Sequence, residues 1–175
     1  MGDAYQLNPH VFTDLQRYTG CTIDRFATAA NRLLPTFNSY FHEPGCNGVD
    51  AFAQTNWQDH INFCNPPFGM IGKLIKFLHT HRPPYPPTIV IAPRWYQQPW
   101  FQHLTQVADE ILVLPSRPDL FTQVAGALAS GPYLKNPTWV MCAFIINVRT
   151  SGHPPFPRLQ TREDRKSTRL NYRHV

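Results

Sequence analysis

At 175 residues, 42% hydrophobic and 13% aromatic, the chain is too apolar for a disordered polyelectrolyte and long enough to bury one substantial core, so a single domain is expected. Its longest apolar runs, such as 139 to 146, are far too short to cross a bilayer, and the opening residues show no signal peptide, which makes an intracellular location the expectation. The formal charge of +5 is uneven: residues 1–150 hold 10 Lys plus Arg against 9 Asp plus Glu, whereas 151–175 hold 6 against 2. The body is nearly neutral, and charge alone does not argue for a nucleic-acid partner.

In chain order, "NPHVFTDLQRYTG" predicts a first helix. Asn8 is placed to cap it, Pro9 to open it and Gly20 to end it, with Val11, Phe12, Leu15 and Tyr18 on one stripe. "CTIDRFAT" and "LPTFNSYF" read as short strands, and "EPGCNGVDAFA" as a turn-rich loop with a weak third. "HINFCNPP" is a strand stopped by its prolines. Met70, Ile71, Leu74, Ile75 and Leu78 then form the apolar stripe of an amphipathic helix.

"RPPYPP" is a rigid connector, and "TIVIAP" is a continuous apolar run suited to a strand buried on both faces. "QPWFQHLTQVA" predicts a further helix, with Trp100, Phe101 and Leu104 on its buried side. "EILVLP" and "TWVMCAFIINV" read as an antiparallel closing pair. This succession of strands and helices predicts an α/β domain with a mostly parallel sheet covered on both faces, in which ligands bind outside the carboxyl ends of the strands.

The four cysteines, Cys21, Cys46, Cys64 and Cys142, are far apart and are expected to be reduced and partly buried, and no metal site is predicted. Residues 1–150 are read as the domain and 151–175 as linker and tail. Back-translated, "DRKSTRLN" (164 to 171) resembles a short-read sequencing adapter, so roughly the last dozen residues are read as adapter read-through and set aside.

The segment with chemistry is "NFCNPPFG". Two prolines can neither extend a sheet ladder nor enter a helix interior, so Asn65, Pro66, Pro67 and Phe68 fall at a strand's carboxyl end. An exocyclic amine on a base is a poor nucleophile because its lone pair is delocalised into the ring. Two acceptors holding its hydrogens weaken that delocalisation: the Asn65 side-chain oxygen, and the Pro66 carbonyl, which has no donor at Pro67 to engage it. Phe68 offers a face on which an extruded base can stack. Such transfer needs alignment more than acid–base catalysis, in keeping with a site that has no obvious catalytic His or carboxylate dyad.

"NPPF" after an apolar strand is similar to the catalytic motif of S-adenosylmethionine-dependent amino-methyltransferases. With "YQLNPHVFTDLQRYTGCTIDRFATAANRLLPTFNSYF", "GVDAFAQTNW", "NFCNPPFGMIGKLIKFL", "IVIAPRWYQQPWFQHL" and "LVLPSRPDLF", the chain resembles the phage-type DNA adenine methyltransferase (Dam) family. The likeness is greater still to the methyltransferase-like domain of DIRS-type retrotransposon polyproteins. It covers about residues 5 to 125, and implies a Rossmann-like methyltransferase fold with a mostly parallel sheet and an antiparallel closing strand.

The resemblance further implies S-adenosylmethionine as cofactor and DNA as partner, with neighbouring polyprotein domains such as reverse transcriptase, ribonuclease H or a recombinase. Asp24, flanked by Phe26 and Ala27, would border the cofactor and pair with its ammonium, and Asp50 would accept from its adenine. Asp24 capping a following helix and Asp50 organising a turn are the structural alternatives. Arg94 and Trp95 would lie on the same rim as Asn65. Arg117 would touch DNA or fix its own loop. "TIDRFATAAN" lacks the glycine-rich loop of most enzymes using this cofactor. Rival readings are an inactive nucleic-acid-binding module of a retroelement polyprotein, and an amino-methyltransferase acting on cytosine or glutamine.

Overall fold

The computed structural model describes residues 5–124 and 139–160. Helix α1 (Pro9–Thr19) begins and ends where its capping residues require. Asn8 accepts from the backbone N–H groups of His10 and Val11, and Gly20, at φ 71°, donates to the Gln16 carbonyl, a left-handed closure that costs glycine least.

The main sheet has five strands in the order β2–β3–β4–β7–β5: β2 (Ile23–Asp24), β3 (Asn62–Cys64), β4 (Thr88–Pro93), β5 (Glu110–Val113) and β7 (Met141–Ile146). β2, β3 and β4 are parallel, and β7 runs antiparallel between β4 and β5. Beyond β2, single parallel bridges join Asp24 to Phe37 and Ser39 to Val49, so the two weak strands expected on either side of residue 40 survive only as isolated pairings. Helices α2 (Ile71–His79) and α3 (Pro99–Val107) follow β3 and β4.

Strand alternation assigns the core. Phe63, Ile89, Ile91, Ala143 and Ile145 meet α1 through Phe12 and Leu15. Cys64, Val90, Ala92, Cys142 and Phe144 meet α2 and α3 through Leu74, Ile75, Phe101 and Leu104. All six residues of β4 are buried, as its unbroken apolar run predicts, because a strand covered on both faces has no solvent side. Each such Ile or Leu contributes about 1.5–3 kcal/mol by leaving water.

Three features depart from the sequence expectations. A small antiparallel ribbon, β1 (Tyr5–Leu7) with β6 (Phe121–Gln123), packs Leu7 and Phe121 over the α1 side. No helix follows β2. A single turn, with the Arg32 N–H on the Thr28 carbonyl, occupies that place, and the doubly wound pattern is incomplete there.

The third departure is the stretch expected as linker. Val113 donates to the Pro157 carbonyl at 2.7 Å and Leu159 to the Ile111 carbonyl at 2.8 Å, adding an edge to β5, while the Ser151 N–H reaches the Tyr18 carbonyl. Residues 151–160 therefore pack on the domain, and the read-through assignment of the tail falls outside the described residues. No helix among the described residues is long and apolar enough to cross a membrane.

Candidate active site

β2, β3 and β4 all deliver their carboxyl ends to one edge of the sheet. Asp24 pairs in register with Phe63, two residues before Asn65, so strand geometry puts their Cα atoms roughly 8 Å apart. The Pro-Pro step stops β3, Phe68–Met70 makes a short 3-10 turn, and α2 starts at Ile71.

Asn65 is half-buried, and its side chain makes no hydrogen bond to a described residue. The Pro67 carbonyl accepts from the Met70 N–H at 2.8 Å, whereas the Pro66 carbonyl accepts from no N–H of the described residues. Two acceptors one residue apart are thus left for a ligand. A half-buried amide without a partner forgoes about 1 kcal/mol of hydrogen bonding that a packed side chain would make.

Beside them, three rings meet at near right angles. Phe68 lies 5.1 Å from Trp95 and 5.8 Å from Trp139, and Trp95 lies 5.2 Å from Trp139. Trp95 belongs to the turn after β4 and Trp139 to the approach to β7, whose first residue Met141 is paired with Pro93. Trp139 was not singled out from the sequence, because it stands at the head of an apolar strand and its neighbour across the sheet is not visible in one dimension. Trp100 is half-buried, and Phe101 and Leu104 are buried, as the helix stripe predicts.

Asp24 is 3% exposed, and burial raises its carboxyl to about 6. One oxygen accepts from the Leu33 N–H at 3.1 Å, and the other, Oδ1, is buried with no partner. Since no helix follows β2, the capping alternative fails. An orphaned carboxylate oxygen at a strand end is suited to an ammonium group, so the residue fits the cofactor role that the resemblance implies.

Phe26 and Ala27 are buried beside it. Asp50 is exposed and caps the turn Ala51–Ala53, accepting from the Phe52 N–H at 3.0 Å with its own backbone at φ 64°. The turn-forming role is therefore real, and one carboxylate oxygen is left over. That turn brings Phe52 to 5.6 Å from Phe26, which lies 6.4 Å from Tyr40, whose hydroxyl meets the Met70 sulfur at 3.6 Å. A continuous wall of side chains joins Asp50 and Asp24 to the turn after Asn65.

Arg25, absent from the expectations, is the most constrained group at this edge. At 1% exposure it donates from Nε to Asn62, from Nη1 to Asn38 and from Nη2 to Asn56, each at 2.8–2.9 Å, and lies 4.5 Å over the Trp57 ring. Burial lowers it to about 10. Its partners are neutral amides scattered over 24 positions, a pattern with no periodicity to read.

Arg94 is half-buried at the same edge, with its guanidinium 5.6 Å from the Tyr96 ring. Arg117 grips Asp119 through two nitrogens, and Asp119 meets the Asn8 side chain. This pairing is what the loop-fixing alternative for Arg117 requires.

Among the described residues no group of His, Cys, Asp or Glu is arranged to hold a metal, and the four cysteines are free. Two clefts of about 450 and 370 Å3 lie at the opposite edge, around Glu110 with Arg158 and around Tyr18 with Ser151. No protein-family model and no curated protein sequence matches the chain.

Proposed function

We propose that the chain is an S-adenosylmethionine-dependent methyltransferase acting on the exocyclic amine of adenine in DNA. The observation that carries this reading is the pair of unpartnered acceptors, Asn65 Oδ1 and the Pro66 carbonyl, at the carboxyl edge beside Phe68, Trp95 and Trp139. The sheet supports it. An antiparallel strand set between the last two parallel ones is the closing arrangement that the methyltransferase resemblance implies.

The bound cofactor would supply an electrophilic methyl group on a sulfonium. The chain's own contribution is alignment. Asn65 Oδ1 and the Pro66 carbonyl each accept one amine hydrogen, which draws the nitrogen lone pair out of conjugation and aims it. The three rings fix the plane of the base and keep water from the nitrogen. Asp24 Oδ1 holds the ammonium of the cofactor's methionine part, and the Phe26–Phe52–Tyr40 wall flanks its remainder. As the nitrogen–methyl bond forms, the sulfonium–methyl bond would break, leaving a neutral thioether. No side-chain base is required, because the amine, acidic once it carries a fourth substituent, passes its proton along the Asn65 and Pro66 oxygens to solvent at the half-open edge.

Titration of the purified chain with S-adenosylmethionine tests the cofactor half of the proposal. Saturable binding that weakens at least tenfold in Asp24→Asn is expected, and no saturation at millimolar concentration contradicts it. Product profiling on DNA, RNA and protein tests the acceptor half. Methylation confined to glutamine side chains or to cytosine would overturn the adenine assignment.

A further inference from the structure

The two acceptors at Asn65 and Pro66 need both hydrogens of the amine, yet in a Watson–Crick pair one of them is already engaged. The target base must therefore be unpaired when it reaches them. Opening a duplex takes phosphate contacts, and four of the described arginines are already engaged within the chain. Arg25 is buried on amides, Arg117 is held by Asp119, Arg17 lies 3.6 Å from Asp14, and Arg158 lies 3.6 Å from Glu110.

Two cations near the active edge have no carboxylate partner among the described residues: Lys73, whose ammonium lies 4.8 Å from the Phe52 ring on the cofactor side, and Arg94, on the side of the ring cluster. Arg94 makes no ion pair among the described residues, and its guanidinium lies over the Tyr96 ring. Tyr96 is 47% exposed, one of four large apolar side chains that open to solvent among the described residues. It is nonetheless firmly placed. Its ring packs at 5.1 Å against Phe101, which is buried against Phe144, and its turn is fixed by the Arg94 N–H on the Val140 carbonyl and the Gln98 N–H on the Trp95 carbonyl. Its neighbour Trp95 faces Phe68.

We propose that Tyr96 and Arg94 form a platform for single-stranded DNA: Tyr96 stacks the base next to the target, and Arg94 takes the phosphate between the two. An exposed, preordered aromatic ring beside a cation is the combination that binds unpaired strands with little sequence preference. The adjacent ring cluster receives the target base itself. This inference rests on the proposed function for its geometry, but its test does not need methyl transfer.

The test is fluorescence anisotropy of the full chain with a labelled adenine-containing 12-mer, with the same sequence as duplex and as RNA, and no methyl donor. Single-stranded DNA is expected to bind more tightly than duplex. Tyr96→Ala should weaken it roughly 10- to 100-fold, with Tyr96→Phe within about twofold as the check that the ring, not the fold, is responsible. Arg94→Gln should reduce the salt slope by about 0.7.

Equal binding by Tyr96→Ala and the parent chain overturns the platform, and so does preference for duplex or for RNA. Tyr96-dependent binding without any methylation would leave the platform standing and remove the enzyme.

Discussion

Arg25 and Asn65 end neighbouring strands of one sheet, yet the fold treats them in opposite ways. Below β2, the Arg25 guanidinium is sealed from water and each of its three nitrogens meets a fixed amide oxygen. Beyond β3, Asn65 stands half-open, with its amide unengaged and aromatic rings alongside. One end ties β2, β3 and the segment around Asn38 together, whereas the other keeps its hydrogen-bonding capacity for something else. Polar groups at a sheet edge are thus of two kinds, and the count of internal partners tells them apart.

The comparison predicts a crossed pattern of effects. Arg25→Met keeps much of the side-chain volume but leaves the buried oxygens of Asn38 and Asn62 and the half-buried one of Asn56 without this donor, so a loss of about 2–4 kcal/mol in denaturant unfolding is expected. A loss below about 1 kcal/mol would mean that the network is incidental. Asn65→Ala should do the reverse. Stability should change by less than about 0.5 kcal/mol, because no internal bond is broken, while methyl transfer falls by about 10²–10³-fold or more. Unfolding on Asn65→Ala would make the residue structural and erase the contrast.

Asp24 sharpens the boundary between the two. Its carboxyl is raised by burial from an ordinary 3.8 to about 6, so between those values the folded chain holds a proton that the unfolded chain has released. Its contribution to stability is full below about pH 4 and is lost as pH rises through about 6. Asp24→Asn is therefore expected to match the parent at pH 4 and to exceed it by about 2–3 kcal/mol at pH 7.5 without ligand. Equal stability of the two at both pH values would contradict that account.

The smallest effect belongs to the turn that carries Asp50. Gly48 has φ 145°, and a Cβ there would meet the Gln54 side-chain oxygen at 2.5 Å, while the Gln54 amide is held by the Val49 and Asp50 carbonyls. Gly48→Ala should cost about 1–2 kcal/mol by thermal melting. It should also weaken cofactor binding more than Gly20→Ala, whose added Cβ meets only the end of Ile61.

Much of this architecture is written locally. The Asn8 cap, the Gly20 stop, the α2 stripe and the unbroken β4 run act within a few residues, and each appears where its chemistry places it. The proline stop after Cys64 belongs to the same class. What escaped was non-local or too short to pattern. The β1–β6 ribbon joins three-residue strands more than a hundred positions apart, residues 157–159 read as linker until β5 supplies their partners, and Trp139 meets Phe68 only through the β4–β7 pairing. The Arg25 cage has amide partners that look like any polar loop residues. The loop after β2, without glycine, keeps no α-helix, and the orphaned Asp24 oxygen beside it has no signature in one dimension.

The most direct test is nucleoside mass spectrometry of single-stranded DNA incubated with the purified chain and S-adenosylmethionine, alongside Asn65→Ala. The account predicts N6-methyladenine from the parent chain and a loss of at least a hundredfold in the variant. No methylated adenine from a folded, cofactor-binding parent, or equal amounts from both, would contradict the claim that the Asn65 oxygen and Pro66 carbonyl activate an exocyclic amine.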